Sequence, residues 1–239
     1  MKAAVVIPLY KAKPNEEERA SLVQTQKVFQ DETIILVVPE DLELSEYLSI
    51  MPTADVKYFK KTYFSSIKAY NSLLLSAAFY ESFKEYDYIL LTQADVWVFD
   101  NQLLKWCKRN YDYIGAPWLV QPPLQKKINL LPFASLMKGK VGNGGFSLRK
   151  ISSHIEISRK LSPISWIFTK NEDFFWSIIV PKFFSSFVIP KIEVAVFFAF
   201  ELAPEKALKM TGGKLPFAVH AWLKHNPDFW KTFIPLVKN

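Results

Sequence analysis

Tyr86-Asp87-Tyr88-Ile89-Leu90-Leu91-Thr92-Gln93-Ala94-Asp95-Val96-Trp97-Val98-Phe99 is the stretch on which the fold turns. From Tyr88 to Thr92 the apolar residues run on without alternating, as in a strand buried on both faces. The polar Gln93-Ala94-Asp95 stands at its C-terminal end, and an apolar strip follows at once. A carboxylate delivered there can bind a hard divalent cation that bridges two phosphates. The plain structural alternative is a turn aspartate or a helix cap.

Working outward, residues 3–9 and 33–38 read as two more buried strands. Between them, Asn15 with Glu18 three residues later has the spacing of a capping box, behind a helix with an acidic first turn. Residues 65–83 read as one long helix, with Ile67, Tyr70, Leu74, Ala77 and Ala78 on one side. Asp100 is expected to cap a helix running through Arg109, and residues 111–116 to form another strand. The sequence predicts a turn over 142–145, a short strand over 146–149, helices near 151–161 and 172–179, and a last strand over 217–220. Residues 117–140 carry four prolines and give no assignment; so long a connection is usually functional or mobile.

Strands alternating with helices predict a single α/β domain over residues 1–239, a mainly parallel twisted sheet flanked by helices. Ligands of such sheets bind outside the carboxyl ends of the strands. Tyr10, Glu40 and the Gln93-Ala94-Asp95 turn all fall there.

The composition, 50% hydrophobic and 15% aromatic, is that of a globular chain. A formal charge of +7 favours anionic partners without choosing among nucleic acid, phosphate-bearing substrates and a membrane surface. The basic residues are scattered and the aromatics lie in apolar segments, so no nucleic-acid partner is expected. The lone Cys107 excludes a disulfide within the chain and reads as a small buried hydrophobe on a helix. The apolar N-terminal stretch is too short for a signal peptide, and no run approaches the ~20 residues of a membrane span. The expectation is a soluble, cytoplasmic protein. The basic charge and the apolar region 183–200 would suit peripheral contact with an anionic membrane.

Three further segments can carry chemistry. Val141-Gly142-Asn143-Gly144-Gly145-Phe146-Ser147-Leu148-Arg149 has three glycines in four positions, which permit positive φ and close approach to a ligand; a hairpin turn is the rival. In Asn171-Glu172-Asp173-Phe174-Phe175-Trp176, two acids open an apolar helix. They complement the helix dipole, or one is a general base with its pKa raised by an aromatic setting. His220 follows a short apolar strand and is either structural or a metal or phosphate ligand. His154 and His225 read as surface residues.

The order of these motifs resembles the core of the GT-A-fold glycosyltransferases. Gln93-Ala94-Asp95 looks like their Asp-x-Asp motif with its first aspartate replaced. Gly142–Gly145 looks like their glycine loop, Asn171-Glu172-Asp173 like their x-Glu-Asp motif, and His220 like their C-terminal histidine. Nearly the whole chain resembles a bacterial family of unknown function, family 5672, of surface-polysaccharide loci. That likeness is carried by Val6-Ile7-Pro8 with Tyr10-Lys11, Tyr70-Asn71, Phe79-Tyr80-Glu81, Gln93-x-Asp95, Tyr113-Ile114-Gly115-Ala116-Pro117-Trp118 and Gly142-Asn143-Gly144-Gly145-Phe146-Ser147-Leu148-Arg149.

The resemblance implies a metal-dependent transfer of sugar from a nucleoside-diphosphate sugar to a hydroxyl of a glycan or lipid-linked saccharide. Residues 1–116 would bind the nucleotide and 117–239 the acceptor. Pro8, Tyr10 and Glu40 would line base and ribose, with Gln93 also on the donor side. Asp95 and His220 would hold Mn²⁺ or Mg²⁺ on the diphosphate. Gly144 and Gly145 would shape the sugar site, and Asp173, with Glu172, would supply the catalytic carboxylates. Trp118 and Trp176 either stack on sugars or pack the core. The neutral Gln93 weakens the metal assignment. The rivals are a non-catalytic carbohydrate-binding protein of the same fold, a basic nucleic-acid-binding protein, and a nucleotidyltransferase.

Overall fold

The computed structural model describes residues 1–120 and 136–235. The strand quoted above is β4 (Tyr88–Thr92), and every one of its residues is buried. It lies beside β1 (Ala3–Pro8), which pairs on its other side with β2 (Thr33–Pro39), and β2 pairs with β3 (Asp55–Phe59). These four strands are parallel. Beyond β4 come β7 (Val141–Lys150), antiparallel to it, and β6 (Tyr113–Pro117), antiparallel to β7. The order is therefore β3-β2-β1-β4-β7-β6. The expected mainly parallel sheet is present, with β7 reversed inside it.

The unbroken apolar runs follow from burial on both faces. Ala3, Val5, Ile7, Ile34, Leu36, Val38, Tyr88 and Leu90 face one core cluster. Their neighbours Ala4, Val6, Ile35, Val37, Ile89 and Leu91 face another. Each valine, leucine or isoleucine among them contributes about 1.5–3 kcal/mol when fully buried, so a polar residue at any of these positions would oppose the sheet.

A second sheet of three short strands stands beside the first: β5 (Val96–Val98), β9 (Ala218–His220) and β8 (Ala199–Phe200), in the order β5-β9-β8. It has its own cluster, which includes Trp97, Trp222 and Trp230.

The capping box forms as spaced. Glu18 N donates to Asn15 Oδ1 at 2.7 Å and Asn15 N to Glu18 Oε2 at 3.0 Å, opening α1 (Glu16–Val28). After α2 (Ser45–Ile50), the single helix expected over 65–83 is two, α3 (Ile67–Leu74) and α4 (Ala77–Glu81). Ser66 and Ser76 each cap a helix, their hydroxyls accepting from Ala69 N and Phe79 N. The serine inside the apolar pattern restarts the helix. The next helix, α5 (Leu103–Cys107), starts later than expected, and Asn101 rather than Asp100 bonds its first N–H. Cys107 is buried on it.

The chain continues through α6 (Ile151–Ser165) to α7 (Glu172–Phe174), a π-helical turn (Phe175–Ile179) and α8 (Val180–Phe183). The last helices are α9 (Ile192–Ala195), α10 (Pro204–Met210) and α11 (Pro227–Trp230).

Two expectations are corrected here. The glycine segment is not a turn but part of β7. The apolar region 183–200 is divided: Phe187, Ala195, Val196, Phe198, Ala199 and Phe200 are buried, while Phe183, Val188 and Phe197 are exposed. No helix among the described residues is long and apolar enough to cross a membrane. His154, read as a surface residue, is fully buried among the rings of Tyr80, Tyr113, Trp176 and Phe187. Most of the unassigned 117–140 connection lies outside the described residues.

Candidate active site

Strand register assembles the site. Thr92 pairs with Phe146 across β4 and β7, and Gln93 N donates to Gly145 O at 2.9 Å. Val96 pairs with His220 across β5 and β9. The acidic turn, the glycine segment and the histidine are thereby held side by side at the carboxyl end of β4. They open into a cleft of about 780 Å³, within the range of small-molecule sites. Pro8, Tyr10, Gln93, Asp95, Gly144, Gly145, Glu172, Asp173 and His220 all line it. Glu40 stands exposed after β2 and does not.

Gly144 and Gly145 do not take positive φ. What they provide is closeness. A Cβ on Gly144 would lie 2.1 Å from Asp173 Oδ1 and 3.2 Å from Arg149 Nη2. A Cβ on Gly145 would lie 2.3 Å from the His220 ring. Backbone contacts the Asp173 and His220 side chains directly, and no larger residue leaves them room. Gly142 is needed for packing: its Cβ would meet Trp118 at 2.4 Å. Trp118 and Trp176 are buried in the core and do not face the cleft as sugar platforms.

At one end, His220 Nε2 lies 3.0 Å from Gln93 Oε1 and 3.4 Å from Asp95 Oδ1. Its Nδ1 lies 3.2 Å from Glu201 Oε1, an ionic contact without aligned hydrogen-bond geometry. Burial opposes the imidazolium, but the adjacent carboxylates of Asp95 and Glu201 outweigh it and push the ring up to about 10. Burial likewise pushes the Asp95 carboxyl up, and His220 more than reverses this.

At the other end, Arg149 is fully buried on β7. It donates through Nη1 to Tyr80 Oη at 2.9 Å and to the Glu172 carboxylate, and through Nε to Ser147 Oγ at 3.0 Å. Its Nη2 has no hydrogen-bond partner among the described residues. Burial and then the adjacent Glu172 charge hold Asp173 well above the usual carboxylate range, against Arg149 and the Gly144 N–H. The two acids of Glu172-Asp173 thus differ: the first neutralises a buried cation, the second faces the cleft with a raised pKa.

Among the described residues no group of three or more His, Cys, Asp and Glu gathers to hold a metal ion. Asp95 Oδ1, His220 Nε2 and the neutral Gln93 Oε1 do converge. Bonds of about 2.0–2.6 Å to a divalent cation set adjacent ligands roughly 3–3.5 Å apart, as found for the two distances at Nε2. A cation there would require His220 to give up its proton, with phosphate oxygens or water as the remaining ligands.

Sequence reasoning did not assign several cleft residues. Lys224, four residues beyond His220, lines the cleft, as do Lys11, Lys170, Tyr70 and Asn71. The signal for Glu201 was an acid set in the apolar run 194–202.

The profile of the family described as "Protein of unknown function (DUF5672)" matches residues 53–220. The chain belongs to this family. No curated protein matches it. Among solved structures, it is similar to an active-site mutant of the galactosyltransferase LgtC, with a TM-score of 0.54, 15% identity, and coverage of 91% of this chain and 86% of that one. The apo bifunctional glycosyltransferase WbbM gives a TM-score of 0.52 at 12% identity, over 92% of this chain and 45% of that one. GlyE of Streptococcus pneumoniae gives 0.50 at 13% identity, over 92% and 54%. This DUF5672 chain therefore has the GT-A glycosyltransferase fold in a single domain.

Proposed function

We propose that this protein transfers a sugar from a nucleoside-diphosphate sugar to a hydroxyl of a glycan or lipid-linked saccharide, in bacterial surface-polysaccharide synthesis on the cytoplasmic side. The observation that carries the reading is one cleft at the strand ends with Asp95 and His220 at one end and Asp173 at the other, joined by Gly144 and Gly145. Residues 1–116 would contribute most of the nucleotide site, through Pro8 and Tyr10, and residues 117–239 most of the acceptor site.

Asp95 and His220 would hold Mn²⁺ or Mg²⁺, with Gln93 as a weak neutral ligand. A metal there stabilises the charge that develops on the departing nucleotide. Lys11 and Lys224 line the same cleft and would add positive charge beside the phosphates. Asp173 is the general base: its raised pKa moves it toward the range in which a carboxylate takes a proton from a hydroxyl efficiently. Glu172 serves catalysis by holding Arg149, not by touching substrate.

Thermal unfolding with a panel of nucleoside diphosphates and nucleotide sugars, with and without Mn²⁺, tests the reading. A ligand that binds only the folded state adds about 2.7 kcal/mol at a hundredfold excess over its Kd. One nucleotide should give a Mn²⁺-dependent rise in Tm that Asp95→Ala abolishes. Absence of any rise across the panel would remove the donor site. The neutral Gln93 favours one second reading, a carbohydrate-binding protein of the same fold without turnover. It predicts glycan binding with no nucleotide response.

A further inference from the structure

Two side chains on α3 line the cleft without any assigned role. Tyr70 Oη is buried and has no hydrogen-bond partner among the described residues. The Asn71 side chain forms no hydrogen bond among the described residues and lines the same cleft. α3 packs against α7, which carries Asp173. Tyr70 shares its electrostatic surroundings with Arg149, Glu172, Tyr80 and Asp173.

An unsatisfied buried hydroxyl is a liability in the free protein, because it has given up water for nothing. A cleft wall that keeps one, beside an uncommitted amide, is arranged for a ligand that supplies the missing partners. Burial raises the Tyr70 phenol far above its usual value, so it is a neutral O–H that both donates and accepts. The Asn71 amide offers two donors and one acceptor on a planar fork. Neutral groups of mixed donor and acceptor character match a pair of sugar hydroxyls. They match a phosphate less well, because neither brings a charge or a set made only of donors, and an apolar group would leave both unpaired.

We propose that Tyr70 and Asn71 form a sugar-hydroxyl subsite beside Asp173, gripping two neighbouring hydroxyls of one of the two sugars that meet in the cleft. The subsite rests on the glycosyltransferase reading and specifies which wall holds the sugar. It takes its diol from the donor sugar or from the acceptor saccharide, and the two sources separate in experiment.

Tyr70→Phe removes one oxygen that bonds no protein group. Folding stability should therefore stay level or rise, while sugar binding falls; a merely structural role would lower both. The probes are a printed array of mono- and oligosaccharides, with affinity measured for each glycan retained, and uridine, guanosine, thymidine and cytidine diphosphates with and without an attached hexose. The expected result is a roughly tenfold or greater loss of sugar affinity in Tyr70→Phe and in Asn71→Ala, with Tm and the response to the bare nucleotide unchanged.

Loss confined to free saccharides assigns the acceptor, and loss confined to the gain that a hexose adds to its nucleotide assigns the donor. Sugar binding by Tyr70→Phe equal to wild type overturns the subsite, as does wild-type protein that binds no sugar in either form. A missing response to bare nucleotides in wild type sinks the donor reading by itself. Sugar binding lost in Tyr70→Phe would still support the subsite.

Discussion

The two ends of the cleft hold their charges in opposite ways. At the Asp95–His220 end the carboxylate is 47% exposed, and its partners are set by the pairing of short strands. At the Asp173–Arg149 end the guanidinium is 0% exposed and its counter-ion Glu172 only 3%. The half-open pair, under the proposed function, would exchange its contacts for a cation and phosphates. The closed pair cannot rearrange without stranding a charge in the core, and so it acts as a fixed wall against which Asp173 keeps its raised pKa. The lesson is that one GT-A cleft combines an exchangeable end with an immobile one.

The largest effect should come from breaking the closed end. Glu172→Gln leaves the Arg149 charge buried without a counter-ion, and urea denaturation should register a loss of about 3–5 kcal/mol. Asp95→Asn, at the open end, should cost less than about 1 kcal/mol because water screens that pair. Equal losses for the two variants would dissolve the comparison.

The next effect is a pH dependence, placed at the closed end by His154. Burial, and after it Arg149, holds this ring well below 6.5, so it is neutral in the folded protein. The unfolded chain binds the proton more readily, which makes the contribution complete above about 6.5 and progressively lost as pH falls below that value. His154→Phe should flatten the stability curve on the acid side. An unchanged acid slope would mean that the ring is not held neutral.

Smaller changes sharpen the contrast. Gly144→Ala pushes on Asp173 and Arg149, and Gly145→Ala pushes on the His220 ring. Each should cost about 1–3 kcal/mol by overpacking. Their functional signatures should diverge: Gly145→Ala should lose the Mn²⁺-dependent nucleotide response, and Gly144→Ala should keep it while losing sugar transfer. The same signature in both variants would show that the two ends do not act separately. The smallest stability change belongs to Tyr70→Phe, where Tm should hold or rise.

Much of this was legible in the chain. The runs 3–9, 33–38 and 88–92 identified strands buried on both faces, because only such strands dispense with alternation. The capping-box spacing located α1. The glycine segment was visible as a site but misread as a turn. Three glycines in four positions also suit a strand that side chains must approach closely, and no local signal separates the two uses. The helix at 65–83 was misread as continuous, since its apolar period passes straight through Ser76. Glu201, Lys224 and Tyr70 reach the site from segments whose meeting depends on the second sheet and on the packing of α3.

The sequence by itself determined the double-faced strands, the carboxylate at the end of β4 and the family to which the chain belongs. These are properties of neighbouring residues, and hydrophobic burial acts on them wherever the strand is placed. Only the folded arrangement settles which acid faces the cleft and which is bound to Arg149, that the glycines pack on Asp173 and His220, and that Tyr70 Oη has no hydrogen-bond partner among the described residues. Those outcomes depend on desolvation and on distances of a few ångströms between segments far apart in the chain, which residue order does not encode locally.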